Sequence, residues 1–467
     1  MQFTSIPFFI FLFVVVVAYY ILPNRYRNYL LLVASYYFYF SIQPEYLVLL
    51  ILSTLVNYLL GRGLEAYPKR KKMLLGVGLL FNLGILFFFK YFNFFGEQLN
   101  AIFSSFSLNL KIPQHSLILP IGISFYTFMA LGYILDVYWG DIKSQRNLLT
   151  FSVYLAFFPQ ILCGPIGRAK NLFKQFSSEH PLLYDNFANG FRLVLWGLFK
   201  KMVVADNIGA YVDAVYNNIP MHSTLTLIVT TLLYPLQLYA DFGGYSDVAR
   251  GVAKLLGFDL MVNFRTPYVN STSVTDYWKR NHISLTSWLR DYVFFPFMGT
   301  SSSKGKVYLG IVIMFLASGI WHGVGWMFII WGAIQALYLI VEDLAGWDKK
   351  FVGNKISISF KKTFTYIVIA IGLVFFRLPS IKELGHMLNS LLSSNWTLFM
   401  GGSSNSAFIA IGVVILLVLE MMLDKKQMDQ WIAEKHLVLR WGTYLSLMTV
   451  TLLIGVLDGQ DFIYFQF

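Results

Sequence analysis

Hydrophobic residues occur along this chain in long runs, and short polar stretches separate one run from the next. A helix needs about 20 apolar residues to cross the ~30 Å hydrocarbon core of a membrane, so most of these runs predict membrane helices. The shorter runs predict re-entrant or half-spanning helices. We therefore expect an all-α polytopic membrane protein with about 11–13 transmembrane or re-entrant helices. The runs lie near residues 5–22, 28–41, 45–60, 73–92, 118–138, 148–163, 188–205, 224–240, 306–318, 324–342, 360–377, 406–423 and 440–457.

Basic loops between these runs predict the orientation of the helices. Lys and Arg concentrate in residues 67–72, 142–147, 347–355 and 425–435. Loops of this kind face the cytoplasm in most membrane proteins. Because the loops between them carry few charges, alternation places the N-terminus and the C-terminal tail, residues 458–467, on the extracytoplasmic side.

The longest polar interruption, residues 258–306, does not have the composition of a flexible linker. Tyr and Trp recur in it among charges and hydroxyls, which is typical of helices that lie at the membrane interface. Its stretch TDYWKRNHISLTSWLRDY predicts one or two amphipathic helices with a break near residues 281–283. We expect this segment to be interfacial.

Composition supports a membrane protein and excludes other classes. The chain has 467 residues and is 57% hydrophobic but only 13% charged, whereas a soluble domain carries roughly 25% charged residues. The net charge of +12 is explained by the basic loops. The sequence has no basic stripe with stacking aromatics outside the apolar runs, so we expect the lipid bilayer and no nucleic acid as a partner. One cysteine, Cys163, excludes an internal disulfide framework and a multi-thiolate metal site.

His322 interrupts the apolar run SGIWHGVGWMFIIWG at residues 318–332. A buried polar group costs free energy unless it is paired, and an ionisable residue in a membrane segment is a functional candidate by default. An unperturbed imidazole has a pKa near ~6.5 and can take or give a proton at neutral pH. Gly319 and Gly323 would let another backbone or a substrate approach closely. The alternative is a core histidine that hydrogen-bonds to a neighbouring helix.

His282 is the second candidate, because the chain between the two histidines is long enough to bring their rings together. The alternative is an interfacial histidine that reaches water. Two acids, Asp241 and Asp247, also lie in apolar surroundings, and they suit a polar lining, a metal site or a helix cap. No histidine lies near them to complete a metal site, so we expect Ser246 and Asp247 to cap a helix.

The sequence leaves two possible roles open for each of three further polar residues. Arg280 and Arg290 either form ion pairs, as the sequence WLRDY suggests for Arg290, or bind the phosphates of a cofactor. Tyr464 in the terminal FIYFQF is either an aromatic belt residue or a phenol that accepts a group. A phenol is a poor nucleophile unless a base such as histidine activates it.

Four motifs together resemble the membrane-bound O-acyltransferase family, and most closely its bacterial branch typified by the membrane subunit of alginate O-acetylation. The resemblance implies a single integral-membrane domain over residues 1–467, with a ring of helices around a central tunnel. It implies that His322 is the catalytic histidine and that His282 is the second, more variable polar residue of the site, within the catalytic segment 258–306. The motifs are CGPIGR, DFGGYSDVARGVAKLLGF, PYVNSTSVTDYWKRNHISLTSWLRDYVFFP and WHGVGWMFIIWG.

The resemblance also implies an activity. Acetyl-CoA in the cytoplasm would be the acyl donor, with no permanently bound cofactor and no metal. The acetyl group would cross a bacterial plasma membrane to a hydroxyl, and an extracytoplasmic SGNH-hydrolase-like partner would place it on a polysaccharide such as alginate or peptidoglycan. Tyr464 would be a first acceptor. We assign donor binding to Trp278, Arg280, Trp288 and Arg290.

Two other functions stay open. D-alanyl transfer to teichoic acid uses a related membrane protein and a carrier-protein thioester as donor. A transporter or flippase would also have many apolar helices, but it predicts two related halves with broken helices, which the sequence does not show. The chain departs from the bacterial branch at Asn281 and at residues 334–336, and these departures leave the acceptor undetermined.

Overall fold

Helices form all the regular secondary structure in the part of the chain that the computed structural model describes, residues 1–347, 355–392, 395–423, 426–457, 459 and 462. The chain divides into two compact units. The first comprises residues 1–2, 6–182 and 256–258, and the second comprises residues 3–5, 183–255 and 259–467.

The first unit is built from nine α-helices. A reciprocal pair of amide hydrogen bonds joins two of them, because Asn57 donates to Asn82 at 3.1 Å and Asn82 donates to Asn57 at 2.7 Å. The helices are α1 (Ile6–Ile21), α2 (Asn24–Phe40), α3 (Leu47–Ala66), α4 (Lys71–Leu86), α5 (Phe92–Ser105), α6 (Ile123–Trp139), α7 (Leu148–Ala156), α8 (Phe158–Ile161) and α9 (Ala169–Phe176).

The second unit contains both candidate histidines. Its helices are α10 (Tyr184–Leu198), α11 (Asp206–Tyr216), α12 (Thr224–Leu255), α13 (Pro267–Asn270), α14 (Val274–Arg280), α15 (Ile283–Leu289), α16 (Phe295–Met298), α17 (Lys304–His322), α18 (Trp326–Ala345), α19 (Lys355–Arg377), α20 (Ile381–Leu391), α21 (Ser403–Leu423), α22 (Met428–Ala433) and α23 (Leu437–Ile454). Across both units, π-helical turns cover Phe87–Tyr91, Phe199–Ala205 and Arg290–Phe294, and 3₁₀ turns cover Pro44–Tyr46, Pro68–Arg70 and Ile219–Met221.

Eight helical stretches among the described residues are long and apolar enough to cross a membrane. The expected class, an all-α polytopic membrane protein, is confirmed, while the ring of helices around a tunnel stays a prediction. Two shorter apolar helices, Ile6–Ile21 and Leu148–Ile161, accompany the eight. The eight are Pro44–Ala66, Pro68–Ser105, Thr224–Leu255, Lys304–His322, Trp326–Ala345, Lys355–Arg377, Asn405–Leu423 and Leu437–Ile454.

Helix α12 runs without a break through the acidic stretch at 238–251, so the prediction that Ser246 and Asp247 cap a helix is wrong. The reason is close packing against α10. A Cβ atom on Gly197 of α10 would approach the carbonyl oxygen of Gly244 to 2.5 Å. This approach buries one face of α12 against α10, and the acids find their partners in the π-helical turn that follows α10.

Buried ion pairs join α12 to the π-helical turn at Phe199–Ala205 and the residue that follows it. The Lys201 ammonium lies 2.7 Å from Asp206 and 2.6 Å from Asp241, and all three side chains are almost fully buried. Lys200 lies 2.5 Å from Asp247. Charges removed from water are tolerated only when they are paired at close range. These pairs therefore explain why both acids lie in apolar surroundings, where their sequence also suits a polar lining or a metal site.

We expect Lys201→Met to destabilise the protein by about 3–5 kcal/mol, because it leaves two buried carboxylates without their cation. Thermal unfolding in detergent measures the effect. Lys254→Met is the matched control, since Lys254 pairs with Asp259, which is 72% exposed, and a solvent-exposed pair contributes about 0–1 kcal/mol. Equal losses of stability in the two variants would show that the buried Lys201 pairs matter no more than the exposed Lys254 pair.

Candidate active site

Helices α17 and α18 form the hairpin that carries His322. A Cβ atom on Gly319 would overlap the carbonyl oxygen of Phe328, and one on Gly332 would overlap the carbonyl oxygen of Phe315. The two helices therefore touch backbone to backbone, as expected at Gly319. His322 is the last residue of α17 and is 4% exposed, so the close packing of the hairpin fixes where its ring lies.

His282 lies between two short helices. Helix α14 ends at Arg280 and α15 begins at Ile283, which confirms the predicted break near 281–283. His282 has φ +44° and ψ +50°, in the left-handed region. A non-glycine residue held in such a sparsely populated region costs of order 1–3 kcal/mol, and such residues cluster at functional sites.

The fold brings the two imidazoles together inside the second unit. Their ring centroids are 6.1 Å apart, and His282 is only 2% exposed. The alternative of an interfacial His282 that reaches water is therefore wrong. Burial lowers the pKa of His282 to about 3, because apolar surroundings disfavour the charged ring. His282 is therefore neutral at physiological pH.

Aromatic side chains enclose the histidine pair. The ring of His322 lies 5.2 Å from those of Trp331 and Phe376, and the ring of His282 lies 4.5 Å from that of Phe242, by centroids. The cavity between these walls measures about 30 Å³, room for about one water molecule. It is lined by Leu238, Tyr239, Phe242, Phe264, Tyr277, Trp278, Asn281, His282, His322, Trp331, Leu373 and Phe376.

Of the four residues expected to bind the donor, Trp278 lines this cavity. Both arginines form ion pairs, which is one of the two roles that the sequence suggests for them. Arg280 pairs with Asp276 and Arg290 with Asp291, each at 2.9 Å. Neither arginine lines the cavity.

Trp288 does not line the histidine cavity, and Tyr464 lies outside the residues that the structure describes. Trp288 is buried with its ring 4.9 Å from that of Tyr292. Phe462, two positions before Tyr464, is fully buried. The centroid of its ring lies 4.6 Å from that of Tyr245 and 5.6 Å from that of Phe242.

Sequence reasoning missed the polar residues behind the cavity wall. The hydroxyl of Tyr239 donates to Glu420 at 2.5 Å, and the Lys200 ammonium lies 5.0 Å from the centre of the Tyr239 ring. Glu420 is 1% exposed on the apolar helix α21. The available signal was a lone carboxylate in a membrane-length apolar run, which is the signal that identified His322.

Comparison with known proteins places this arrangement in a family. Residues 141–346, which include both histidines, match the model of the membrane-bound O-acyltransferase family. A probable alginate O-acetylase AlgI of Pseudomonas putida is 39% identical over 408 residues, covering 85% of this chain and 82% of that protein. The chain belongs to the membrane-bound O-acyltransferase family.

Relatives named for other polymers are also similar to this chain. A peptidoglycan O-acetyltransferase of Helicobacter pylori is 32% identical over 427 residues, covering 83% of this chain and 79% of that protein. A teichoic acid D-alanyltransferase of Bacillus subtilis is 29% identical over 249 residues, covering 51% of this chain and 63% of that protein. As a member of this family, the protein is an acyltransferase.

We expect Gly319→Ala to push α17 away from α18, because the new methyl group meets the Phe328 carbonyl. Overpacking costs about 1–3 kcal/mol, and a displacement of His322 by about 1 Å can lower acyl transfer ~10²-fold. Thermal unfolding and transfer assays measure both effects. Gly305→Ala on the same helix has no heavy atom within 4 Å of its Cβ position, so it should leave both unchanged. Wild-type activity in Gly319→Ala would refute the packing argument.

Proposed function

We propose that this membrane-bound O-acyltransferase moves acetyl groups from acetyl-CoA to a hydroxyl, for the O-acetylation of a cell-surface or exported polysaccharide. The observation that carries the proposal is the buried pair of His322 and His282, 6.1 Å apart by ring centroids. Acetylation as the reaction is supported by the alginate and peptidoglycan O-acetylating relatives.

The chemistry is general-base catalysis of acyl transfer. The hydroxyl oxygen attacks the thioester carbonyl carbon, a C–O bond forms and the C–S bond breaks. His322 takes the hydroxyl proton and returns it to the leaving thiolate, so no net proton is consumed. Such a base contributes about 10²–10⁴-fold to the rate. His282 orients the acceptor or polarises the thioester carbonyl.

The donor site lies beside the histidines in this proposal. Trp278 and Arg290 both line a pocket of about 350 Å³, and Trp278 also lines the histidine cavity. Lys279 lines the same pocket, which provides two cations for donor phosphates. We include Arg280 and Trp288 because they lie on the same short helices, α14 and α15. Acetyl-CoA binds there only as a substrate.

The donor and the acceptor of the acetyl group lie on opposite sides of the membrane in this proposal. The activated thioester is cytoplasmic and the polysaccharide is outside, so a tunnel through a single membrane domain, residues 1–467, lets acetyl cross while CoA stays inside. We place the enzyme in a bacterial plasma membrane with both chain ends outside and segment 258–306 at the interface. An extracytoplasmic SGNH-hydrolase-like partner completes transfer to the polymer.

Tyr464 is the proposed first acceptor of the acetyl group. Support comes from Phe462, which is buried against Phe242, because the ring of Phe242 in turn lies 4.5 Å from that of His282. The chain two residues before Tyr464 is thus one aromatic ring away from the histidine pair.

D-alanyl transfer to teichoic acid is the second candidate function. The observation in its favour is the similarity to the Bacillus subtilis D-alanyltransferase over about half of this chain. Incubation of the purified protein with labelled acetyl-CoA, or with a D-alanyl carrier protein, distinguishes the two donors.

We expect His322→Ala to lower acetyl transfer at least ~100-fold, because the hydroxyl proton then has no base. Labelled acetyl-CoA in purified membranes measures the rate, and immunoblotting checks the protein level. His436→Ala, which removes an exposed imidazole from the same unit, should retain activity. Full activity in His322→Ala at normal protein level would sink the assignment.

Tyr464→Phe keeps the aromatic ring and deletes the hydroxyl. If Tyr464 carries the acetyl group outward, polysaccharide acetylation in cells should disappear while the protein still accumulates in the membrane. Analysis of ester-linked acetate on the isolated polymer measures the result. Unchanged acetylation would show that Tyr464 does not carry the acetyl group and that the tail is only an anchor.

A further inference from the structure

Asn263 holds the segment around His282 through three hydrogen bonds. Its backbone carbonyl accepts the N–H of Ile283 at 2.9 Å, and its side-chain Oδ1 accepts the N–H of Ser284 at 3.0 Å. The same Oδ1 lies 3.3 Å from Nδ1 of His282. His282 itself makes no side-chain cap at the start of α15, so Asn263 satisfies the first backbone donors of that helix from outside it.

The backbone of Ser284 determines which atom of the Asn263 amide faces His282. Oxygen and nitrogen of an amide are distinguished by their hydrogen-bond partners. A backbone N–H can only donate, so the amide atom that faces Ser284 must be the oxygen. That oxygen also faces Nδ1 of His282, and two acceptors cannot share a hydrogen bond. Nδ1 must therefore carry the proton.

We propose that Asn263 is a positioning residue that locks His282 as the Nδ1–H tautomer, so that His282 offers the active-site cavity a hydrogen-bond acceptor, Nε2. In a neutral imidazole one nitrogen donates and the other accepts, and the partner of one nitrogen sets the role of the other. The assignment rests on the proposed acyl transfer for its catalytic meaning, but the hydrogen-bond geometry stands independently.

This tautomer separates the two roles considered for His282. Polarising a thioester carbonyl requires a hydrogen-bond donor, and the only N–H of the neutral ring is committed to Asn263. Orienting a hydroxyl requires an acceptor, which Nε2 provides. His282 therefore acts on the acceptor side of the reaction, and stabilisation of the thioester oxygen is left to other groups.

Few titratable groups surround His282, so the pH dependence of acetyl transfer can test its tautomer. Phe242, Phe264, Trp321 and His322 pack against its ring. Among the described cavity residues, His322 is the only other imidazole, and Tyr239 and Tyr277 are phenols. The pH profile of the wild-type protein is therefore the baseline with which the Asn263 variants are compared.

Asn263→Asp keeps the shape and both acceptor contacts of Asn263. The lost amide nitrogen has no hydrogen-bond partner among the described residues. A carboxylate favours the charged imidazolium. The carboxylate accepts the hydrogen bond of Nδ1–H and stabilises the imidazolium, so the proton taken up as the pH falls goes to Nε2 and removes the acceptor. Activity should therefore fall as the pH falls.

We expect the ratio of acetyl transfer at pH 8 to that at pH 6 to be about tenfold larger in Asn263→Asp than in wild type, since protonation changes ~10-fold per pH unit. Asn263→Leu removes the two hydrogen bonds that the side chain makes, keeps the backbone one and adds no charge, so its loss of rate relative to wild type should be independent of pH. A profile of Asn263→Asp that overlays wild type would overturn the proposal.

Nitrogen NMR of ¹⁵N-histidine-labelled wild-type protein in bilayers reads the tautomer without any activity. The chain has seven histidines, and His282→Asn identifies the resonances of His282 by difference. Protonated Nδ1 with unprotonated Nε2 at neutral pH is the expected result. The reverse pattern would overturn the assignment, whereas the expected pattern in a protein without acyl transfer would refute only the proposed function.

Discussion

Polar groups in this protein must find their partners within the chain, because hydrocarbon offers them none. Asn57 and Asn82 satisfy one another inside the first unit. In the second unit Lys201 is held by two carboxylates, and His282 is held by Asn263. Each pairing fixes the distance between two helices or segments, so the need for hydrogen bonds also determines the geometry of the site.

Much of the site was predictable from single residues. His322 and His282 are recognisable because an ionisable side chain in or beside an apolar run requires a reason, and the break at residues 281–283 follows from the polar cluster there. The α-helical class follows from run length alone.

Pairings between distant residues were not predictable. The local signature of cap residues predicts a helix cap in the acidic stretch of α12, whereas the true partners of its acids, Lys200 and Lys201, lie 47 and 40 residues away along the chain. Asn263 looks like an ordinary loop asparagine in the sequence. Its importance comes from a contact across nineteen residues, which no periodicity encodes.

The backbone at position 282 limits which residues evolution can place in this candidate site. Among residues with a side chain, the left-handed conformation observed there is most accessible to asparagine, aspartate and histidine. Glycine fits the backbone but brings no functional group, and aspartate brings a charge into an apolar enclosure. Asparagine is thus the nearest substitute, so drift at this position should remain within a pair of neutral, hydrogen-bonding side chains.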